Sequence, residues 1–256
     1  VLRPSLLRAR SLALLIDVDG TLVPFAPTPQ AVVIDAGLRR LLDELLDVLD
    51  GALALVSGRS LENLDWLFPN NRFALVGSHG AVLRRAPDAQ ILSCVPHAEA
   101  LGEARDTLLR EVARDPRLLL EDKGISVALH YRRAPDRENW VRARVSTLAH
   151  ELGPDYQVQW GAAVAELRPA GFDKGTAVKS LMTEPPFAGR CPVYLGDDDT
   201  DIAALRAVAE LDGAAIAVGP RLLGAGYPHL ESPSHVREVL LGLSVALRRS
   251  GSDRRE

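Results

Sequence analysis

The chain has 256 residues, a formal net charge of −4, 47% hydrophobic residues and 25% charged residues. These are globular values that exclude a disordered or fibrous chain. A pI near 5.9 argues against a nucleic-acid binder, whose balance is usually basic. Cys94 and Cys191, the two cysteines, are too few for a disulfide framework or a four-thiolate zinc site and read as inert thiols. Near the N-terminus the longest apolar run is Leu12–Ile16, too short for a membrane span or a signal-peptide core. Arg3, Arg8 and Arg10 precede it, and no small-residue cleavage site follows. The expectation is a cytoplasmic protein with no membrane association and no obligatory protein partner in evidence.

In chain order, Leu12–Ile16 reads as a buried strand ending at Asp17-Val18-Asp19-Gly20-Thr21. Leu38, Leu41, Leu42, Leu45, Leu46 and Leu49 form a helical stripe over 34–49, and Gly51 fits its stop. A strand over 52–56, a helix over 61–67 and a strand over 73–76 continue the alternation that marks a parallel α/β sheet. The pattern then changes. Residues 81–85 and 90–94 read as a hairpin, followed by a helix (98–113), two strands (118–121, 126–132), a helix (139–152) and two strands (156–160, 163–168). This is a compact α+β unit. The βα rhythm returns after Pro169-Ala170-Gly171, with a helix from Lys174 capped by Asp173. Then come strands over 191–195 and 214–218, and helices over 200–209 and 235–248; 251–256 reads as a polar tail. The domains expected are an α/β core of 1–94 and 171–256 and an α+β cap of 95–170, joined by connections near 94–97 and 169–171.

Four polar clusters follow core strands or start a helix: Asp17-Val18-Asp19-Gly20-Thr21, Ser57-Gly58-Arg59, Asp173-Lys174-Gly175-Thr176, and Gly196-Asp197-Asp198-Asp199-Thr200-Asp201. Ligands of open α/β sheets bind beyond the carboxyl ends of strands. Acids gathered there repel one another unless a cation offsets them, and hard oxygen donors beside a phosphate suit Mg²⁺. A serine, a helix start and one of only three lysines in the chain suit the phosphate. One carboxylate can act as nucleophile and a second, two residues on, as acid and base. Calcium loops fit poorly: Leu22 and Ile202 stand where their glycine is needed.

These four clusters, in this order, resemble the motifs of the haloacid dehalogenase superfamily of phosphohydrolases. The resemblance spans nearly the whole chain and implies a Rossmann-like parallel-sheet core with an inserted α+β cap. It implies Asp17 as nucleophile, Asp19 as general acid/base, and Ser57 and Lys174 as phosphate holders. It further implies Mg²⁺ on Asp17, the carbonyl of Asp19, and Asp197, with Asp198 and Asp201 in support. Gly20, Thr21, Gly58 and Arg59 would line the substrate site, although Arg59 reads equally well as a structural ion-pair partner.

Sugar hydroxyls are well held by carboxylates and hydrogen-bonding cations, which Glu121, Lys123, Arg132 and Glu166 supply. Gly77-Ser78-His79-Gly80, Leu120-Glu121-Asp122-Lys123-Gly124, His130-Tyr131-Arg132 and Glu166-Leu167-Arg168-Pro169 are similar to segments of the trehalose-6-phosphate phosphatases. That resemblance implies trehalose 6-phosphate as substrate and His79, Glu121, Lys123, Arg132 and Glu166 as sugar contacts. Ala162 departs from it, since the family pattern has a lysine there. A phosphatase for another sugar phosphate and a non-catalytic binding subunit are the competing readings. Taken alone, Glu121 and Lys123 could be a surface ion pair, and His130 and Tyr131 packing residues.

Overall fold

A computed structural model describes residues 12–26, 28, 31–93 and 98–252. Arg3, Arg8, Arg10, Cys94, the 94–97 connection and residues 253–256 of the expected tail lie outside the described residues. Two compact units emerge, Val1–Leu92 with Asp173–Glu256, and Ser93–Phe172.

The first unit is built on an eight-stranded sheet in the order β12-β11-β10-β1-β2-β3-β4-β5. Its strands are β1 (Leu12–Ile16), β2 (Leu53–Val56), β3 (Ala74–Gly77), β4 (Val82–Arg84), β5 (Leu92–Ser93), β10 (Cys191–Gly196), β11 (Ala214–Val218) and β12 (His229–Leu230). β1, β2, β3, β10, β11 and β12 run parallel. Apart from the two-residue edge strand β12, they are short, mostly apolar runs, as expected of a parallel sheet packed on both faces. β4 turns back antiparallel on β3, so the expected hairpin region extends this sheet. β12, only two residues long, left no periodic trace in the sequence.

Among the described residues five α-helices complete the unit: α1 (Ala36–Val48), α2 (Leu61–Leu67), α5 (Lys174–Leu181), α6 (Ile202–Glu210) and α7 (Pro233–Ser252). The Asp35 and Ser60 side chains accept from backbone N–H groups at the starts of α1 and α2. On one face, Ala13, Leu15, Ala54, Val56, Ala74 and Val76 pack with Val178 and Leu181 of α5 and Leu205 and Val208 of α6. The alternating residues Leu12, Leu14, Ile16, Leu53 and Leu55 are also buried and point to the other face. α1 and α7 pack on each other. A Cβ at Gly175 would lie 2.4 Å from the Ala203 carbonyl oxygen. Glycine there lets α5 approach α6 closely, which brings the start of α5 to the acidic loop after β10.

The second unit is a four-stranded antiparallel sheet, order β6-β7-β9-β8, with two helices. Its elements are α3 (Ala98–Val112), β6 (Leu119–Asp122), β7 (Val127–His130), α4 (Glu138–Leu152), β8 (Tyr156–Gly161) and β9 (Val164–Pro169). Leu101, Leu108, Val127, Leu129, Tyr131, Val141, Val145, Leu148, Ala165 and Leu167 form its core. Strand alternation sends Glu121, Ala128 and Glu166, which are register neighbours, to the face away from Leu129 and Ala165. Among the described residues no helix is long and apolar enough to cross a membrane.

Candidate active site

β1 lies between β2 and β10, so the connections flanking it diverge and open a crevice at its carboxyl end. Asp17 sits there, 3% exposed, its N–H donating to the Leu195 carbonyl at 2.9 Å. The following turn closes on itself: Gly20 N–H donates to Val23 O at 2.7 Å, and Leu22 and Val23 N–H groups donate to Val18 O. Gly20 has φ +91°, and a Cβ there would lie 2.4 Å from Asp197 Oδ2. Only glycine lets this turn cross the acid of β10 so closely. Its N–H is engaged by Val23, and Thr21 Oγ1 donates to Asp197 Oδ1 at 3.3 Å.

Lys174, buried at the start of α5, donates Nζ to Asp17 Oδ1 and to Asp201 Oδ1, both at 2.7 Å. The Asp173 cap, with Thr176 completing a capping box, sets that helix start. Asp201 is fully buried. It also accepts from Tyr194 Oη at 2.5 Å and from the Asp197 and Asp198 N–H groups at 3.0 and 3.1 Å. Asp201 thus ties Lys174 to the loop after β10. A Cβ at Gly196 would strike its carboxyl group at 2.4 Å.

Asp17, Asp197 and Asp201 each place a carboxylate oxygen within 4.8 Å of the others. Burial, then Asp201, hold the Asp17 carboxyl well above the usual range, against Lys174. Burial, with Asp198 and Asp201, pushes Asp197 up to about 7. Burial would lower Lys174, but Asp17 and Asp201 outweigh it and raise the ammonium's pKa. The cluster therefore holds more negative charge than Lys174 offsets. That is the condition under which a hard divalent cation binds oxygen donors, so the residues fit Mg²⁺.

The side chains of Asp19, whose backbone carbonyl is the expected metal ligand, and of Asp198, expected in support, have partners of their own. Asp19 accepts a fork from Arg59, Nε to Oδ2 at 2.5 Å and Nη2 to Oδ1 at 2.6 Å. Arg59 Nη1 donates to Asn63 Oδ1. The Asp198 side chain accepts from Thr200 N–H and Oγ1 at 2.9 and 2.7 Å. Burial would raise its carboxyl, but Lys174 and the Thr200 hydrogen bonds hold it low. Asp201, placed only in support from the sequence, is the acid that joins Asp17 and Asp197. Nothing in the local sequence of Tyr194 and Asn63 marks them as polar partners.

Ser57 follows β2 and is buried; its Oγ accepts from Arg59 N–H at 3.2 Å. The Ser57–Arg59 turn is braced by Ser78-His79, whose N–H groups donate to Arg59 O and Ser57 O at 2.8 and 3.0 Å. Both bracing residues are left-handed, φ 50° and 56°, a conformation that costs a non-glycine residue energy. The His79 ring occupies the space a Gly58 Cβ would need, 2.4 Å from Cε1. His79, expected at the sugar, lies against the Ser57 turn.

In the second unit, Glu166 is 6% exposed, accepting from Lys123 Nζ at 2.8 Å and from buried Ser126 Oγ at 2.7 Å. Glu121 pairs with His130 Nε2 at 2.9 Å, and this bond, ahead of Lys123, holds the Glu121 carboxyl below its usual value. Lys123 thus bonds Glu166 rather than Glu121, and His130 is a polar partner. Tyr131 does pack in the core. Arg132 Nη2 lies 3.5 Å from the Ala162 carbonyl oxygen.

The model of one protein family, trehalose-phosphatase, matches residues 15–221. A "Probable trehalose-phosphate phosphatase" of Sinorhizobium fredii is 42% identical over 208 residues, covering 81% of this chain and 78% of the relative. The trehalose-6-phosphate phosphatase of Escherichia coli is 38% identical over 203 residues, covering 79% and 76%. A crystal structure of a trehalose-6-phosphate phosphatase related protein superposes with a TM-score of 0.78 at 28% identity, covering 92% of this chain and 97% of that one.

Proposed function

The chain belongs to the trehalose-phosphatase family, and on that premise we propose that it hydrolyses trehalose 6-phosphate to trehalose and phosphate, with Asp17 as nucleophile and Mg²⁺ at the acidic cluster. The observation that carries this reading is the buried Lys174 bridge between Asp17 and Asp201 beside Asp197. Asp17, the Asp19 carbonyl and Asp197 would hold the ion, with Asp198 and Asp201 in support. When bound, Mg²⁺ supplies positive charge against the acids and the phosphoryl oxygens.

In the first half-reaction an Asp17 oxygen attacks phosphorus. The phosphorus–oxygen bond to the sugar breaks, and Asp19 gives its proton to the departing oxygen. In the second, Asp19 removes a proton from water as the water oxygen attacks phosphorus. The bond to Asp17 breaks, phosphate leaves, and both carboxyl groups regain their starting states. Ser57, Lys174 and the backbone at Gly58 hold the phosphoryl oxygens, with Gly20 and Thr21 shaping the turn beside them. Both Asp19 oxygens lie in the Arg59 fork, so Asp19 must part from Arg59 to carry the proton that the first half-reaction requires. Glu121, Lys123, Arg132 and Glu166 are assigned to the sugar hydroxyls, supported by their chemistry and by the sheet face that Glu121 and Glu166 share.

Ala162 favours a second reading, in which another sugar phosphate is the substrate. Phosphate release from a panel of sugar phosphates, with and without Mg²⁺, tests both. Trehalose 6-phosphate should be hydrolysed fastest, and only with the metal. Turnover of a different ester with trehalose 6-phosphate inert would replace the substrate; no turnover of any ester would leave a binding protein.

A further inference from the structure

Arg221 lies beyond β11, and no step above uses it. Its Nη1 is 3.5 Å from Asp197 Oδ2 and 3.8 Å from Asp198 Oδ2. Its guanidinium carbon stands 4.5 Å from the centre of the Phe25 ring. Both side chains are half exposed, Arg221 51% and Phe25 54%. Phe25 in turn abuts the turn after β1, since a Cβ at Gly20 would meet its Cε2 at 2.5 Å. Gly20, Phe25, Arg221 and Asp197 therefore form one stack, drawn from the loops after β1, β10 and β11.

The charges explain why an arginine stands there. Lys174 bonds Asp17 and Asp201, while Asp197 takes the Thr21 hydroxyl on one oxygen and faces Arg221 with the other. An ion pair at 3.5 Å whose arginine is half exposed, even with a ring stacked behind it, contributes little to folding. Its consequence falls on Asp197, a carboxylate assigned above to Mg²⁺. A guanidinium on a flexible stem offers charge without fixing a short contact, so a small divalent ion can displace it.

We infer that Arg221, steadied by Phe25, is a stand-in cation that covers Asp197 while no divalent ion is bound and gives way when the ion binds. The inference rests on the Mg²⁺ reading above. Such a competitor lowers the apparent metal affinity by the fraction of molecules in which it is seated. It also lessens the mutual repulsion of the acids in the metal-free protein.

The test is calorimetric titration of Mg²⁺ into the metal-free full chain, as wild type, Arg221→Met and Phe25→Leu, with thermal melting in chelator alongside. Arg221→Met should bind Mg²⁺ about three- to tenfold more tightly and melt lower without metal, as expected for loss of a weak, partly exposed pair. Phe25→Leu should shift affinity in the same direction by less. Unchanged or weaker Mg²⁺ binding in Arg221→Met, with an unchanged circular dichroism spectrum, overturns the stand-in role. So does an unchanged Mg²⁺ affinity accompanied by a raised KM, which would make Arg221 a substrate contact. Absence of Mg²⁺ binding to wild type and both variants would defeat the metal reading itself, and this inference with it.

Discussion

Lys123 and Glu166 are joined by a 2.8 Å ion pair whose second carboxylate oxygen is already held by Ser126. Glu166 is therefore the anchor that orients Lys123 as much as a sugar contact in its own right. Glu166→Gln keeps the size, removes the charge and replaces one of the two accepting oxygens with an NH2 that can only donate. It should lower kcat/KM for trehalose 6-phosphate by about 10- to 100-fold, on the order of 1.4–2.8 kcal/mol. Hydrolysis of p-nitrophenyl phosphate, which has no sugar, should be nearly unaffected. An equal loss on both substrates would assign Glu166 to the fold.

Asp17 is buried beside other acids, so its charge serves the reaction at a cost to the metal-free fold. Asp17→Asn should abolish turnover and raise the melting temperature in chelator, because one of the repelling charges is gone. Retention of more than a few per cent of the wild-type rate with native circular dichroism would remove Asp17 from the nucleophile's place. A lower melting temperature would show that its bond to Lys174 outweighs the repulsion.

Asp197 has a folded pKa near 7 against an ordinary value of 3.8. Between about pH 4 and pH 7 the folded chain keeps a proton that the unfolded chain has lost. Stability from this group is then full below the ordinary value and declines as pH rises through the folded one. Metal-free Asp197→Asn should accordingly match wild type near pH 4 and exceed it at pH 8, read from urea midpoints. Mg²⁺ at pH 8 should stabilise wild type and leave the variant little changed. A difference between the two proteins that stays constant across this range would count against the assignment.

The His79 ring fills the space that a side chain at Gly58 would need, and a double-mutant cycle can measure it. Gly58→Ala should force the His79 ring aside and disturb the Ser57 turn, with roughly tenfold loss of kcat/KM. The same change in a His79→Ala background has room for the methyl group and should cost less. A coupling on the order of 1 kcal/mol is expected for groups in direct contact, and strictly additive losses would show that the ring is not what excludes the side chain.

Much of this protein is local enough to read from its residues. Leu12–Ile16 followed by Asp17-Val18-Asp19 announces a buried strand with acids at its end, since an apolar run and the polar turn after it are contiguous. Asp173, a capping residue before Lys174, likewise announces the start of α5, and the alternation of runs and stripes yields the α/β core with its inserted α+β segment. β12 escaped because two residues make no pattern, and their strand exists only by pairing with β11.

The partners within the site were decided by the tertiary structure. Lys174 reaches Asp17 across 157 positions of sequence, and does so because Gly175 lets α5 approach α6. Nothing in the spacing of Asp197, Asp198 and Asp201 tells which carboxyl turns inward. The 3-10 turn over Asp199–Asp201 swings Asp201 under the loop and leaves Asp198 to cap it. Arg59 on Asp19, His79 over Gly58, Ser126 on Glu166 and Arg221 over Asp197 share that origin. Residue type states what a side chain can bond, whereas its direction is set by backbone angles and by atoms brought near from distant parts of the chain, so each pairing becomes definite only when the strands and helices have packed.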